Sequence, residues 1–116
     1  MMISVGTLCF ALATHYVADF IVQTEWQAQN KSSNINALLR HVATYGLCFT
    51  PFLFILSNGV LFVLSNVLLH FITDFFTSRA STAVHKSGDT RTFFQFIGFD
   101  QLIHQVTLVL LLVQFG

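Results

Sequence analysis

The sequence predicts an all-α fold: a polytopic membrane protein of four transmembrane helices, arranged as two repeated helical hairpins in one domain over residues 1–116. Three observations carry that reading. The chain is 54% hydrophobic and 9% charged, with fourteen Phe and a mean hydropathy of +0.71, whereas a water-soluble domain carries about 25% charged residues. It holds four apolar stretches of about the 20 residues a spanning helix needs. And it writes one polar phrase twice in apolar surroundings, His15-Tyr-Val-Ala-Asp19-Phe20 and His70-Phe-Ile-Thr-Asp74-Phe75.

The first span is expected from about Met2 to Gln23. It lacks a basic leader and a cleavage signal, so it reads as a retained helix and not a signal peptide. Trp26 follows as an interfacial anchor. The second span is expected from about Ala37 to Leu56, with Pro51 inside it as a source of a kink. Ser57-Asn58-Gly59 is a tight turn signal, so the third span, about Gly59 to Thr77, lies antiparallel to the second. The fourth runs from about Phe93 to Gln114. Two longer polar connections, Thr24–Asn36 and Ser78–Thr92, then share one side of the membrane. The Asn-Gly turn and both termini share the other.

Every Lys and Arg lies in or beside those two loops: Lys31, Arg40, Arg79, Lys86 and Arg91. The positive-inside rule assigns the loops to the cytoplasm of an inner-membrane protein and both termini to the opposite side. A net charge of zero offers no electrostatic basis for nucleic-acid binding. Cys9 and Cys48 sit in apolar segments and read as small buried hydrophobes.

A third pair, Asp100-Gln-Leu-Ile-His104, repeats the His–Asp spacing in reverse. Residues four apart share a helix face, and each predicted helix brings a histidine to a comparable depth: His15, His41, His70 and His104. Asp19, Asp74 and Asp100 accompany three of them. His85 falls in a loop and reads as solvated. An ionisable residue at membrane depth costs at least about 2.5 kcal/mol, so seven at one level must face inward and partner one another.

Three readings compete. A structural network would set helix register, but interhelical hydrogen bonds in membranes average only about 0.6 kcal/mol, and one Asn or Ser supplies that at lower cost. A proton or ion pathway suits Asp/His chains, but four short helices with few polar residues in the outer half provide no continuous path without an oligomer. A metal site suits imidazole and carboxylate donors, which ligate Zn²⁺, Mn²⁺ and Fe²⁺. Four His and three Asp suffice for one ion with supporting carboxylates, or for two ions sharing a bridging aspartate.

At these residues the chain resembles the small integral-membrane proteins of bacteria and phages classed as domain of unknown function thirty-three-oh-seven. The similarity rests on His15-x-x-x-Asp19-Phe20-x-x-Gln23, Lys31, Leu38-x-x-His41, His70-x-x-x-Asp74 and the closing Asp100-Gln101-x-x-His104. Arg79 is the nearest match to a basic residue that follows the second pair in such chains. That family brings no established activity with it. A looser similarity, at the level of fold, is to membrane-bound metal-dependent hydrolases.

The expectation is therefore a metal-dependent hydrolase of a lipid or lipid-linked phosphate or ester at the cytoplasmic face, working as a homo-oligomer. Zinc is the expected metal, with manganese or iron as alternatives. His15, Asp19, His70, Asp74 and His104 are the candidate ligands, and Asp100 and His41 the candidate catalytic acid–base groups, with a fourth ligand as the alternative role of His41 and the orientation of a ligand as that of Asp100. Lys31, Arg40 and Gln101 are the candidate substrate contacts. Phe20 and Phe75 are expected to wall the site. The competing expectation is a non-enzymatic structural or regulatory membrane protein, in which conservative His/Asp changes are tolerated and no metal is found.

Overall fold

A computed structural model describes residues 3–116, and the described residues form helices and turns with no strand. The chain begins with α1 (Val5–Tyr16), capped by the Ser4 hydroxyl, which accepts from the Thr7 amide. A π-helical turn, Val17–Ile21, continues it directly. Next come α2 (Glu25–Asn30), α3 (Ile35–Cys48), α4 (Phe52–Ile55), α5 (Gly59–Lys86) and α6 (Thr90–Phe115). The expected start of the first span, at Met2, lies outside the described residues.

The all-α class holds. α5 and α6 are each long and apolar enough to cross a membrane, and Val5–Ile21 is a shorter apolar helix. Large hydrophobic side chains such as Leu64, Leu68, Phe76 and Leu110 stand exposed along α5 and α6.

Three boundaries differ from the sequence expectation, each for a local reason. Pro51 breaks its helix and does not kink it. Proline has no amide to donate and clashes with the preceding turn, so α3 ends at Cys48 and a one-turn α4 restarts with Pro51 at its N-cap. The predicted loop 78–92 is helix except for Ser87-Gly88-Asp89. Its residues are polar, but the run Arg79-Ala-Ser-Thr-Ala-Val-His-Lys86 contains no Gly or Pro to stop the helix. Gly88 does stop it, at a φ of +82°, the left-handed conformation glycine adopts without a Cβ penalty. Asp89 then caps α6 by accepting from the Thr92 amide and hydroxyl, and the hydroxyl bond chiefly holds its carboxyl below the usual range. The loop 24–36 contains α2, closed by a capping box between Thr24 and Gln27.

The Asn-Gly turn forms as predicted. A Cβ on Gly59 would lie 2.4 Å from the Phe52 carbonyl oxygen and 2.6 Å from that of Leu53, so only glycine lets α5 leave α4 so closely. The Asn58 amide donates to the Phe115 carbonyl at 3.1 Å. The end of α6 therefore meets the α4–α5 turn, at the end of the bundle opposite Gly88.

The buried face of α5 sets the organisation of the bundle. Gly59, Phe62, Asn66, His70, Asp74 and Ser78 are its buried residues, a seam advancing by three or four residues per step. The seam starts in the apolar core, where Phe62 packs with Tyr45, Phe49, Phe52, Leu108 and Leu112. It then turns polar from Asn66 onward. The other helices change character at the same level: α3 buries His41 and then Tyr45, and α6 buries His104 and then Leu108 and Leu112.

Candidate metal centre

The π turn carries Asp19 into the bundle. Its backbone bond runs from the Val22 amide to the Val17 carbonyl at 2.9 Å, five residues back, so the turn is wider by one residue than an α turn. Such turns recur at functional sites. Gln23 donates to the Asp19 carbonyl at 3.1 Å, satisfying a backbone group near the end of that turn.

Four buried side chains from three chain segments meet there: Asp19, His41, His70 and Asp74. His41 Nε2 lies 3.1 Å from Asp19 Oδ1 and 3.2 Å from Asp74 Oδ2. His70 Nε2 lies 3.2 Å from Asp19 Oδ1 and 3.3 Å from Asp74 Oδ2. The two Nε2 atoms are 3.1 Å apart. Five of the six separations among these four atoms thus match the edges of one tetrahedron. A tetrahedron of that edge has a centre about 2 Å from each corner, the Zn–N and Zn–O distance.

Hydrogen bonding does not explain the convergence. Of two facing imidazole nitrogens only one can donate to the other. Asp19 Oδ1, despite two imidazoles within 3.2 Å, accepts no aligned hydrogen bond. With both imidazoles neutral and presenting their Nε2 lone pairs, four donor atoms converge there, and a cation between them would satisfy all four. The donor set fits a divalent ion, and this His/Asp cluster can hold one.

Neighbouring groups hold the four in place. The Tyr45 ring stacks on His70 at 3.7 Å between centroids, 13° from parallel. Tyr45 is held in turn by its hydroxyl, which donates to Asn66 Oδ1 at 3.1 Å. Lys31 Nζ donates to Asp74 Oδ2 at 3.1 Å. His15 lies beside the quartet: its Nε2 is 3.6 Å from Asp19 Oδ2 and 3.1 Å from Gln101 Oε1. Gln101 donates through Nε2 to Asp100 Oδ2 at 3.3 Å, and this orients its carbonyl toward His15. His104 faces the other Asp74 oxygen, with Nε2 3.4 Å from Oδ1.

The predicted site residues thus converge, with one exception. Arg40 is exposed on α3 and lies 5.5 Å over the Trp26 ring, away from the cluster. His41, expected as a fourth ligand or as a proton donor, stands within the quartet, and His15, a predicted ligand, stands next to it. Phe20 lines the cavity beside the cluster, whereas Phe75 carries the Arg79 guanidinium at 3.7 Å.

That cavity, of about 440 Å³, runs from Asp19, Asp74 and Asp100 past Lys31 to Ser78 and Ser81 and ends near His85. His85 was expected in a solvated loop; the helical continuation of α5 puts it on the cavity wall. Tyr45, Asn66, Ser78 and His85 are the site residues the sequence pattern did not single out. The first three share helical spacing with residues that it did single out: Tyr45 is four after His41, Asn66 four before His70, and Ser78 four after Asp74.

A model of the family described as "Protein of unknown function (DUF3307)" matches residues 7–116, a range that includes every residue of this site. No curated protein and no solved structure matches the chain.

Proposed function

The chain belongs to the DUF3307 family, and from its site we propose a metal-dependent membrane hydrolase acting on a lipid or lipid-linked phosphate or ester. The observation that carries this reading is the convergence of His41 Nε2, His70 Nε2, Asp19 Oδ1 and Asp74 Oδ2 at separations of 3.1 to 3.3 Å. Two imidazoles and two carboxylates in tetrahedral spacing suit zinc above other divalent ions. We assign His41 as a ligand and His15 as the group that orients Asp19, the usual support for a metal-bound carboxylate.

A divalent ion held there supplies Lewis acidity to a phosphoryl or acyl oxygen. The chain's own residues do the rest. Lys31 and Gln101, both on the cavity wall, bind and orient the anionic head of the substrate. Asp100, outside the quartet, takes the proton of the attacking water. The cavity gives a site of this kind the room that a purely structural network does not need. A single chain builds both quartet and cavity, so the chemistry requires no second copy.

In the membrane, α1 with its π turn, α3 with α4, α5 and α6 form four passes. The Lys31 and Gly88 ends face the cytoplasm, and the cavity opens toward that face. α3 alone is about 21 Å long, short of a hydrocarbon core of about 30 Å, so α3 and α4 cross together.

Elemental analysis of detergent-purified protein tests the reading. At least one zinc, manganese or iron per chain is expected, with His70→Ala losing the ion. A chelator should lower the thermal midpoint. Release of phosphate or fatty acid from a lipid panel should depend on the metal and fall more than about 100-fold in His70→Ala. Metal-free protein of full stability, with activity unaltered in His70→Ala, overturns it.

A further inference from the structure

We infer that the chain holds a second divalent cation, in a site formed by Asp74, His104 and Asp100 and joined to the first by the Asp74 carboxylate. The inference rests on the metal reading above and goes beyond it in number, ligands and charge.

Asp74, His104 and Asp100 bring ligand atoms within 4.8 Å of one another. Asp74 divides its oxygens: Oδ2 belongs to the quartet, and Oδ1 faces His104 Nε2 at 3.4 Å. The tautomer of His104 is set by its other nitrogen. Nδ1 lies 2.8 Å from the Asp100 backbone carbonyl, and a carbonyl only accepts, so Nδ1 carries a proton. In the neutral ring Nε2 then presents a lone pair, buried and without a hydrogen-bond partner. A lone pair facing a carboxylate oxygen at 3.4 Å is repulsive unless a cation lies between them or the ring takes a second proton. An imidazole whose far N–H is tied to a carbonyl is also the arrangement metal-ligating histidines adopt.

Asp100 Oδ1 completes the set. It is buried and lacks a hydrogen bond, and Asp100 brings a ligand atom within 4.8 Å of those of Asp74 and His104. Asp100 Oδ2 is held by Gln101, and Gln101 by His15, which reaches Asp19. A chain of polar contacts therefore ties the second site to the first. With the second ion bound, Asp100 holds it through Oδ1 and keeps Oδ2 for the proton. Two ions about 3.5–4 Å apart under a bridging carboxylate are the arrangement that clamps both oxygens of a phosphoryl displacement.

Charge predicts unequal affinities. With neutral imidazoles, Asp19, Asp74 and Asp100 against Lys31 leave two negative charges, which one divalent ion cancels. The second ion enters a neutral cluster and binds more weakly, and an anionic phosphate in the cavity strengthens it.

Equilibrium dialysis of detergent-purified protein against a series of Mn²⁺ concentrations, with bound metal measured by elemental analysis, tests this. Wild type should bind two ions per chain in two steps, the second tightened by inorganic phosphate. At two ions per chain the spin-coupled signal of a manganese pair should replace the isolated-ion spectrum. His104→Gln and Asp100→Asn should each keep the tight step and lose the weak one, the retained step reporting an intact fold. Asp74→Asn should weaken both. One ion per chain in wild type, or a second step unchanged in both His104→Gln and Asp100→Asn, overturns the second site alone. No bound ion in wild type overturns the metal reading itself.

Discussion

His70 shows how a side chain is fixed at the residue scale. It is buried, faces two carboxylates and a second imidazole, and has its ring plane set by Tyr45. Two parts of Tyr45 can do that work, and their magnitudes differ. Tyr45→Phe loses only the bond to Asn66; such bonds in membranes average about 0.6 and reach about 1.7 kcal/mol, so a loss of about 1 kcal/mol is expected with metal content unchanged. Tyr45→Ala removes the stacked ring at a cost of about 3–5 kcal/mol and should lower metal content as well. Unfolding midpoints and elemental analysis of both variants decide the matter; equal metal loss in the two would assign the role to the hydroxyl. The residues of the cluster were legible in the sequence because His and Asp at four-residue spacing stand out against an apolar background. Tyr45 and Asn66 were not, because an aromatic and an amide look ordinary until the rings are seen to stack.

At the scale of elements, the chain's breaks are set by single residues. Pro51 separates α3 from α4, Gly88 separates α5 from α6, and Gly59 lets α5 leave α4. For Gly59 two effects oppose each other. Alanine has the better helix propensity by about 1 kcal/mol in a helix interior, but its Cβ would meet three backbone atoms of Phe52 and Leu53 within 2.7 Å. Overpacking costs about 1–3 kcal/mol, and Gly59 is the first residue of α5, where propensity counts least. Gly59→Ala should therefore destabilise the protein by about 2 kcal/mol in an unfolding titration; a neutral or stabilised variant would show that the α4–α5 turn yields. The turn was readable from Ser57-Asn58-Gly59. The length of α5 was not, because polarity after Thr77 suggested a loop. A helix continues through polar residues as long as none of them stops it. The π turn left no mark in the sequence at all.

The whole molecule places its apolar core at the end where α6 meets the α4–α5 turn, and its polar cluster and cavity toward the Lys31 and Gly88 end. The proposed topology puts those ends on opposite sides of a membrane, with α5 about 42 Å long between them. In a background lacking Cys9 and Cys48, Ser57→Cys should react with a membrane-impermeant thiol reagent on intact cells, and Ser87→Cys only after permeabilisation. Reaction of both from the same side would exclude the arrangement. Composition and periodicity alone determined that the chain is all-α and apolar, and that seven ionisable groups lie at one depth. Both follow from local chemistry, since burial cost and the 3.6-residue repeat act on each segment separately. Only the tertiary structure decided which of those groups share a centre. His41 joined the quartet and His15 moved beside it. Asp74 turned one oxygen to the quartet and the other to His104, and His85 reached the cavity. Those outcomes depend on rotations about helix axes and on one widened turn, and these are fixed by packing between segments distant in the chain.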